Sequence, residues 1–365
     1  MDNLNTFDIC FTVLKIRYAD YDRMLTSEDF LLPTDKVNIF LSLESVFKNL
    51  SMIQDLEKKL ILQRGYEKVL ASNIINLAGH YKRFFVNNGL DTRVYFYYTN
   101  LRSEDFPQCK YNENYRSYYN CKYTQNPKFL YLTDGLIDTV LPLVQKCCEF
   151  IPGVYLLNGV DMEGSVIPYV IAEQDAMEQV PRKNIIISSD LYDMQYGFLD
   201  GFLNTYVKRG FRNSILTCNN QEILRSIAKA SKLAEEDIGS AYQTYSQFVT
   251  LLSCIGDKTR SIDGMNGIGI RTLSDLITSG ISTHKIQMDT TSPNILKDLF
   301  QEDERKDFLN NFYCSSILSI FEELTRAQKA SIVLQRRDRF DNQGLLQLNR
   351  EVFYEHPLTL EALCI

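Results

Sequence analysis

The sequence predicts an α/β fold: a mostly parallel central sheet flanked by helices, followed by an α-helical half. Three observations predict it. Short apolar runs rich in β-branched and aromatic residues alternate with segments whose apolar positions recur every three or four residues. The strand-like runs are apolar without interruption, as strands covered on both faces are. The strand signal then fades near residue 205, and "QEILRSIAKASKLAEEDIG" and "ILKDLFQEDERKDFLNNFYCSSILSIFEELTRAQ" are helical in period.

Taken in order, residues 1–35 are a mixed N-terminal extension with one strand-like run, "FTVLKIRYA", and a link at Leu32-Pro33. "KVNIFLSLESVF" opens the α/β region as its first strand, residues 45–85 read as helical, and "RVYFYYT" is a second buried strand. Residues 100–127 are polar and tyrosine-rich, which suits a long loop or arch. "LIDTVLPLVQKCCEFI" then reads as a helix, "GVYLL" as a strand, "AEQDAMEQV" as a short helix and "NIIISSD" as a strand. The expected organisation is an extension over 1–35, an α/β region over 36–205, a helical region over 206–290 and a C-terminal helical extension over 291–365 that packs on the core. No linker composition marks the boundary near 205, so the two halves are expected to pack tightly.

Composition narrows the function. A formal net charge of −7 argues against indiscriminate binding to a phosphate backbone. Nine cysteines without a C-x-x-C pair point to a reduced, cytoplasmic protein, and three scattered histidines argue against a zinc site. No apolar run has the roughly 18 residues a bilayer needs, and the first residues lack the regions of a signal peptide.

Ligands of doubly wound sheets sit at the C-terminal ends of the strands. "IIISSDLYD" delivers Asp190 there, with Asp193 three residues on, and "AEQDA" places Glu173 and Asp175 at the start of a helix. Carboxylates converging on one sheet edge suit a two-metal phosphodiester nuclease using Mg²⁺ or Mn²⁺. Acids at strand ends and helix starts are also ordinary caps. The stretch "GDKTRSIDGMNGIGIRTLSDLI" adds a glycine cluster, Gly264, Gly267 and Gly269, between two helical segments. Its backbone N–H groups suit a phosphate and its carbonyls a monovalent cation; a tight helix–helix turn without ligand reads equally well.

That stretch resembles the helix–three-turn–helix signature of the flap endonuclease and 5′-3′ exonuclease family, a PIN-like nuclease fold, through Gly256, Asp257, Ile262, Gly264, Gly267, Ile268, Gly269 and Thr272, with Arg271 at a basic position. "VIAEQDAM" is similar to the family's E-A-D-D helix start and "IIISSDLYDMQY" to its T-G-D-x-D-x-x-Q-L. The two strand runs, the segment "YNENYRSYYN" near the arch and the tail "LNREVFYEHPLTL" follow in the family's order. The resemblance implies metal-ligand positions at Glu173, Asp175, Asp190 and Asp257, and nucleic-acid contacts at Gly264, Gly267, Gly269, Arg271 and Thr272. Gln195 keeps the family's downstream position.

The sequence departs from the family where its chemistry resides. Ser42 stands where the first strand should end in an acid, Tyr97 or Tyr98 where the second should, Ala176 at the last acid of E-A-D-D, Tyr192 at the second acid of D-x-D, and Arg260 at an acid of the glycine motif. Each divalent ion needs several carboxylate oxygens, and a guanidinium repels it. Arg260 could pair with Asp257 or Asp190, or face a phosphate. The expectation is a catalytically degenerate relative of bacteriophage type. It would hold branched or single-stranded DNA weakly, or serve as a structural component among phage or virion proteins, with no membrane partner, in the host cytoplasm or the virion. The alternative is an active metal-dependent 5′ nuclease with a reduced site in which Asp193 and Glu44 stand in for missing ligands.

Overall fold

A computed structural model describes residues 36–43, 45, 66–100, 136–160, 162–188, 190, 192–207, 216–217, 245–256, 262, 264–266, 302–336, 341–354 and 357–358. The N-terminal extension, the arch segment and "QEILRSIAKASKLAEEDIG" lie outside them.

The elements in chain order are β1 (Lys36–Ser42), α1 (Tyr66–Asn87), β2 (Asp91–Asn100), α2 (Leu136–Cys148), β3 (Val154–Val160), α3 (Ile167–Met177), β4 (Lys183–Ser188), β5 (Phe202–Val207), β6 (Leu216–Thr217), α4 (Tyr245–Ile255), α5 (Glu302–Ser315), α6 (Ile317–Glu323), α7 (Arg326–Val333) and α8 (Asn342–Glu351). Two 3₁₀ turns matter for the site, Gly164–Val166 before α3 and Tyr192–Phe198 after β4. Among the described residues the sheet runs β3-β2-β1-β4-β5-β6, parallel throughout except for β6.

That order places a switch point between β1 and β4. The chain winds from β1 outward through β2 to β3, then returns to the other side of β1 as β4. In α/β sheets of this kind, the crevice outside the C-terminal ends of the two central strands is where ligands bind. Here those ends are Ser42 and Ser188, brought level by the pairing of Leu41 with Ile187.

Strands β1 to β4 each divide their residues between two cores, because successive side chains point to opposite faces. Ile39 and Leu41 of β1, Phe96 of β2 and Ile185 and Ile187 of β4 face a core built with α1 and α2, to which Leu345, Leu348 and Phe353 add the C-terminal end. Phe40, Tyr95, Tyr155 and Ile186 face a second core with α3, α4, Phe308 and Phe312 of α5, and Ile332 of α7. The uninterrupted apolarity of "NIIIS" follows from this two-sided burial. In the second core Phe40, Tyr95 and Tyr155 stack across three adjacent strands, with ring centroids 4.9 and 5.0 Å apart.

The structure corrects two expectations. The helix containing "AEQDA" begins at Ile167, so Glu173 and Asp175 lie in its later turns rather than at its start. A proline near the helix N-terminus, Pro168, is well placed to open it, since its missing N–H is not needed there. The strand signal does not end at 205: β5 spans that position with the strand-favouring Phe202, Thr205, Tyr206 and Val207, and β6 follows. Among the described residues, the helix expected over 45–85 is regular from Tyr66 to Asn87, with residues 46–65 lying outside. No helix among the described residues is long and apolar enough to cross a membrane.

Candidate functional site

Among the described residues, hydroxyls gather at the switch point around the buried carboxylate of Asp193. Asp193 is only 2% exposed. Its Oδ2 accepts hydrogen bonds from Ser188 Oγ at 2.6 Å and from Tyr97 OH at 3.2 Å. Since Ser188 donates its one proton to Asp193, Ser45 Oγ, 3.0 Å away, donates to Ser188. Ser42 Oγ accepts from the Ser45 amide at 3.2 Å, which closes the group against the end of β1. Strand pairing sets Ser42 beside Tyr97, so of the two candidate tyrosines it is Tyr97 that faces this crevice. Tyr98 points to the opposite face and its hydroxyl accepts from Asn158 Nδ2.

Asp190 starts the turn that carries Asp193 inward. Its amide donates to Ser188 Oγ at 3.0 Å, and its Oδ1 accepts from the Tyr192 amide at 3.1 Å, a local side-chain cap of the kind aspartate commonly makes. The next residues form 3₁₀ structure, and its tighter winding turns Asp193 into the crevice. A regular backbone would point Asp193, one residue past Tyr192, away from the crevice, and the 3₁₀ winding brings it in. Tyr192 is buried in the second core.

The two acids expected from "AEQDA" lie elsewhere. Asp175 is buried near the N-terminal ends of the strands, where its Oδ2 accepts from Asn38 Nδ2 at 2.8 Å and its Oδ1 from Arg336 Nη1 at 2.5 Å. Asn38 Nδ2 also bonds Asn184 Oδ1 at 2.9 Å. From Asn184 to Ser188 is about 13 Å of strand at roughly 3.3 Å per residue, and the Phe40–Tyr95–Tyr155 stack lies between. Two metals sharing ligands sit about 4 Å apart, so Asp175 and Asp193 do not belong to one such centre. Burial and then the Asp175 carboxylate push the Tyr95 phenol above its ordinary value. Glu173 faces the layer of α6 and α7: after burial, it is the main cause raising the Tyr169 phenol, and Tyr169 meets the Phe321 ring edge-on.

The acid that does precede the helix is Glu163. It is buried at the entry to the turn Gly164–Val166, and its Oε1 accepts from Ser165 Oγ at 3.0 Å. Gly164 donates its amide to Thr99 Oγ1 at 2.9 Å, and a Cβ there would stand 2.6 Å from the Tyr98 carbonyl carbon. The glycine thus lets the turn close onto the end of β2. "VDMEGS", an acid-x-acid pair directly after a strand, was the signal for Glu163 that the "AEQDA" match obscured; Asp161 lies outside the described residues.

Of the glycine motif, Gly256, Ile262, Gly264, Met265 and Asn266 are described. Gly256 ends α4 with φ +69°, and Met265 donates its amide to Cys254 O at 2.8 Å, satisfying a terminal carbonyl of the helix. A Cβ at Gly256 would fall 2.4 Å from the Gly264 amide nitrogen. Both glycines are thus required by backbone packed on backbone. Glu44, Asp257, Arg260, Gly267, Gly269, Arg271 and Thr272 lie outside the described residues.

No three histidine, cysteine, aspartate or glutamate side chains among the described residues are grouped as a metal would need. Among the described residues at the switch point, the Asp193 carboxylate is engaged by hydroxyl donors, which stabilise its charge without adding the further negative charge a divalent ion requires. The donor set described there does not fit a two-metal centre.

No family model matches the sequence, and no curated protein matches it either. Solved structures do. A bacteriophage T5 flap endonuclease variant in complex with DNA and metal ions is 13% identical, with 82% of this chain and 99% of that chain covered and a TM-score of 0.49. The T5 5′-exonuclease with bound zinc ions is 12% identical, with 83% and 100% covered and a TM-score of 0.48. The resemblance is to a phage 5′ nuclease.

Proposed function

We propose that this chain is a catalytically degenerate protein of flap-endonuclease type, phage-encoded, that holds nucleic acid or partner proteins of an assembly such as a virion rather than cutting DNA. The observation that carries the reading is the switch point: the hydroxyls of Tyr97 on β2 and Ser188 on β4 hold Asp193 where a two-metal nuclease gathers carboxylates. With no metal pair to bind the attacking and leaving oxygens, in-line displacement at a phosphodiester loses its main source of charge stabilisation. The glycine turn grips through backbone and does not depend on those acids, so holding can outlast cutting. In this reading Gly264, Gly267, Gly269, Arg271 and Thr272 carry the contact to phosphate, with a monovalent cation at the turn's carbonyls.

One observation favours the second reading, an active Mg²⁺- or Mn²⁺-dependent 5′ nuclease: Asp193 does reach the sheet edge, with Asp190 beside it in the chain. The test is incubation of a 5′-flap DNA with Mg²⁺ or Mn²⁺ alongside a binding measurement in Ca²⁺. Degeneracy predicts no turnover, with binding that falls steeply as salt rises. Cleavage that Asp190→Ala abolishes would establish the nuclease instead. Absence of both cleavage and binding at low salt would leave the assembly role.

A further inference from the structure

We propose that the 3₁₀ turn Tyr192–Phe198 is a mechanical coupler joining the switch-point crevice to the helical half, so that the state of one sets the stability of the other. The inference goes beyond the functional reading and holds whether or not the chain cuts DNA.

Three side chains of this turn commit in three directions. Asp193 reaches the ends of β4 and β2 through Ser188 and Tyr97. Tyr196 donates its hydroxyl to Ser165 O at 2.5 Å, fixing the turn that follows β3. Gln195, fully buried, reaches the helices. Its Nε2 donates to Tyr192 O at 2.9 Å and to Ser315 O at 3.0 Å, and its Oε1 accepts from Tyr245 OH at 2.7 Å and from the Ile317 amide at 2.9 Å. Every hydrogen-bonding position of the amide is used, so no neighbour can shift without breaking a bond in a buried setting. Tyr245 OH further accepts from the Leu318 amide at 3.1 Å and contacts Ser316 Oγ at 3.1 Å, binding α4 to the junction of α5 and α6.

The same helix that carries Tyr245 at its start ends at Gly256. At 11 residues, α4 is a rod about 16 Å long, from the Gln195 amide to the first glycine of the glycine motif. Displacement of that rod pulls on Tyr245, hence on Gln195, and two residues earlier in the same turn on Asp193. The path is a continuous set of buried hydrogen bonds and one helix.

The experiment is a double-mutant cycle on the full chain, pairing Tyr245→Phe with Tyr97→Phe. Each removes one hydroxyl and keeps the ring, and the two hydroxyls bond different groups, Asp193 for Tyr97 and Gln195, Ser316 and Leu318 for Tyr245. Independent sites give unfolding equilibrium constants that multiply within about 2-fold. The coupler predicts a departure of 5-fold or more. Native-state hydrogen exchange supplies the spatial readout: Tyr245→Phe alone is expected to speed exchange about 5-fold or more at the amides of Asp193 and Gln195 as well as at Ile317 and Leu318. Multiplicative behaviour, or faster exchange confined to Ile317 and Leu318, would overturn the proposal.

Discussion

Replacing Arg336 by methionine tests the reassignment of Asp175. In the wild-type chain Asp175 and Arg336 pair at 2.5 Å with side chains 3% and 8% exposed, and the guanidinium also lies 3.6 Å from Glu178. Removing one member of a buried pair leaves the other charge uncompensated, at a cost of about 3–5 kcal/mol. Asn38 would still donate to Asp175, which places the expectation near the lower end, about 3 kcal/mol. At roughly 2–4 °C per kcal/mol for domains of a couple of hundred residues, the melting temperature should fall by about 6–12 °C. Adding Asp175→Leu should recover at least half of that loss, because an apolar pair of similar volume leaves no buried charge. Thermal unfolding of wild type, single and double variants is the assay. Were Asp175 a metal ligand at the sheet edge, Arg336→Met would change stability by less than about 0.5 kcal/mol, typical of a surface substitution, and the reassignment would be refuted.

Ser188→Ala should cost about 1.5–3 kcal/mol in urea unfolding, since it removes a hydrogen bond to a buried carboxylate; a loss under about 0.5 kcal/mol would mean Asp193 is not held this way. Gly256→Ala should destabilise markedly more than Gly201→Ala: both glycines have positive φ, +69° and +79°, but only at Gly256 would the new methyl meet backbone. Equal losses in the two variants would show that φ alone matters. Burial pushes the Cys254 thiol up from 9.0 to about 12. Below pH 9 the thiol is protonated in both states and costs nothing; between 9 and 12 only the unfolded chain ionises, so stability should fall by up to about 1.4 kcal/mol per pH unit. Cys254→Ala should flatten that alkaline slope, and an unchanged slope would assign it to other groups.

The strands and the switch point were legible because their signal is composition over several residues, and two-sided burial leaves little else to read. The acids were less legible because their role depends on where an element starts. "AEQDA" has the spacing of a helix-start motif, but Pro168, eight residues after the end of β3, and Gly164, which packs on β2, start the helix earlier. Asp193 stands one residue past Tyr192, where a regular backbone would turn it away, and 3₁₀ winding overrides that. The replacements at Ser42, Tyr97 and Tyr192 could be read directly, yet the network that joins Ser45, Ser188 and Tyr97 to Asp193 could not. Those partners are 5 to 148 residues from it in sequence and meet only through strand register. Gln195 was noted for its position alone; that its amide ties two halves of the chain together appears only when Tyr245 and the Ser315–Ile317 junction are brought beside it.

Cleavage of a 5′-flap DNA by the full chain is the most direct measurement of the central claim that hydroxyls have replaced the metal-binding acids. With Mg²⁺ or Mn²⁺ present, the account predicts no turnover above a protein-free control. Turnover that requires the divalent ion and disappears in Asp190→Ala would contradict it.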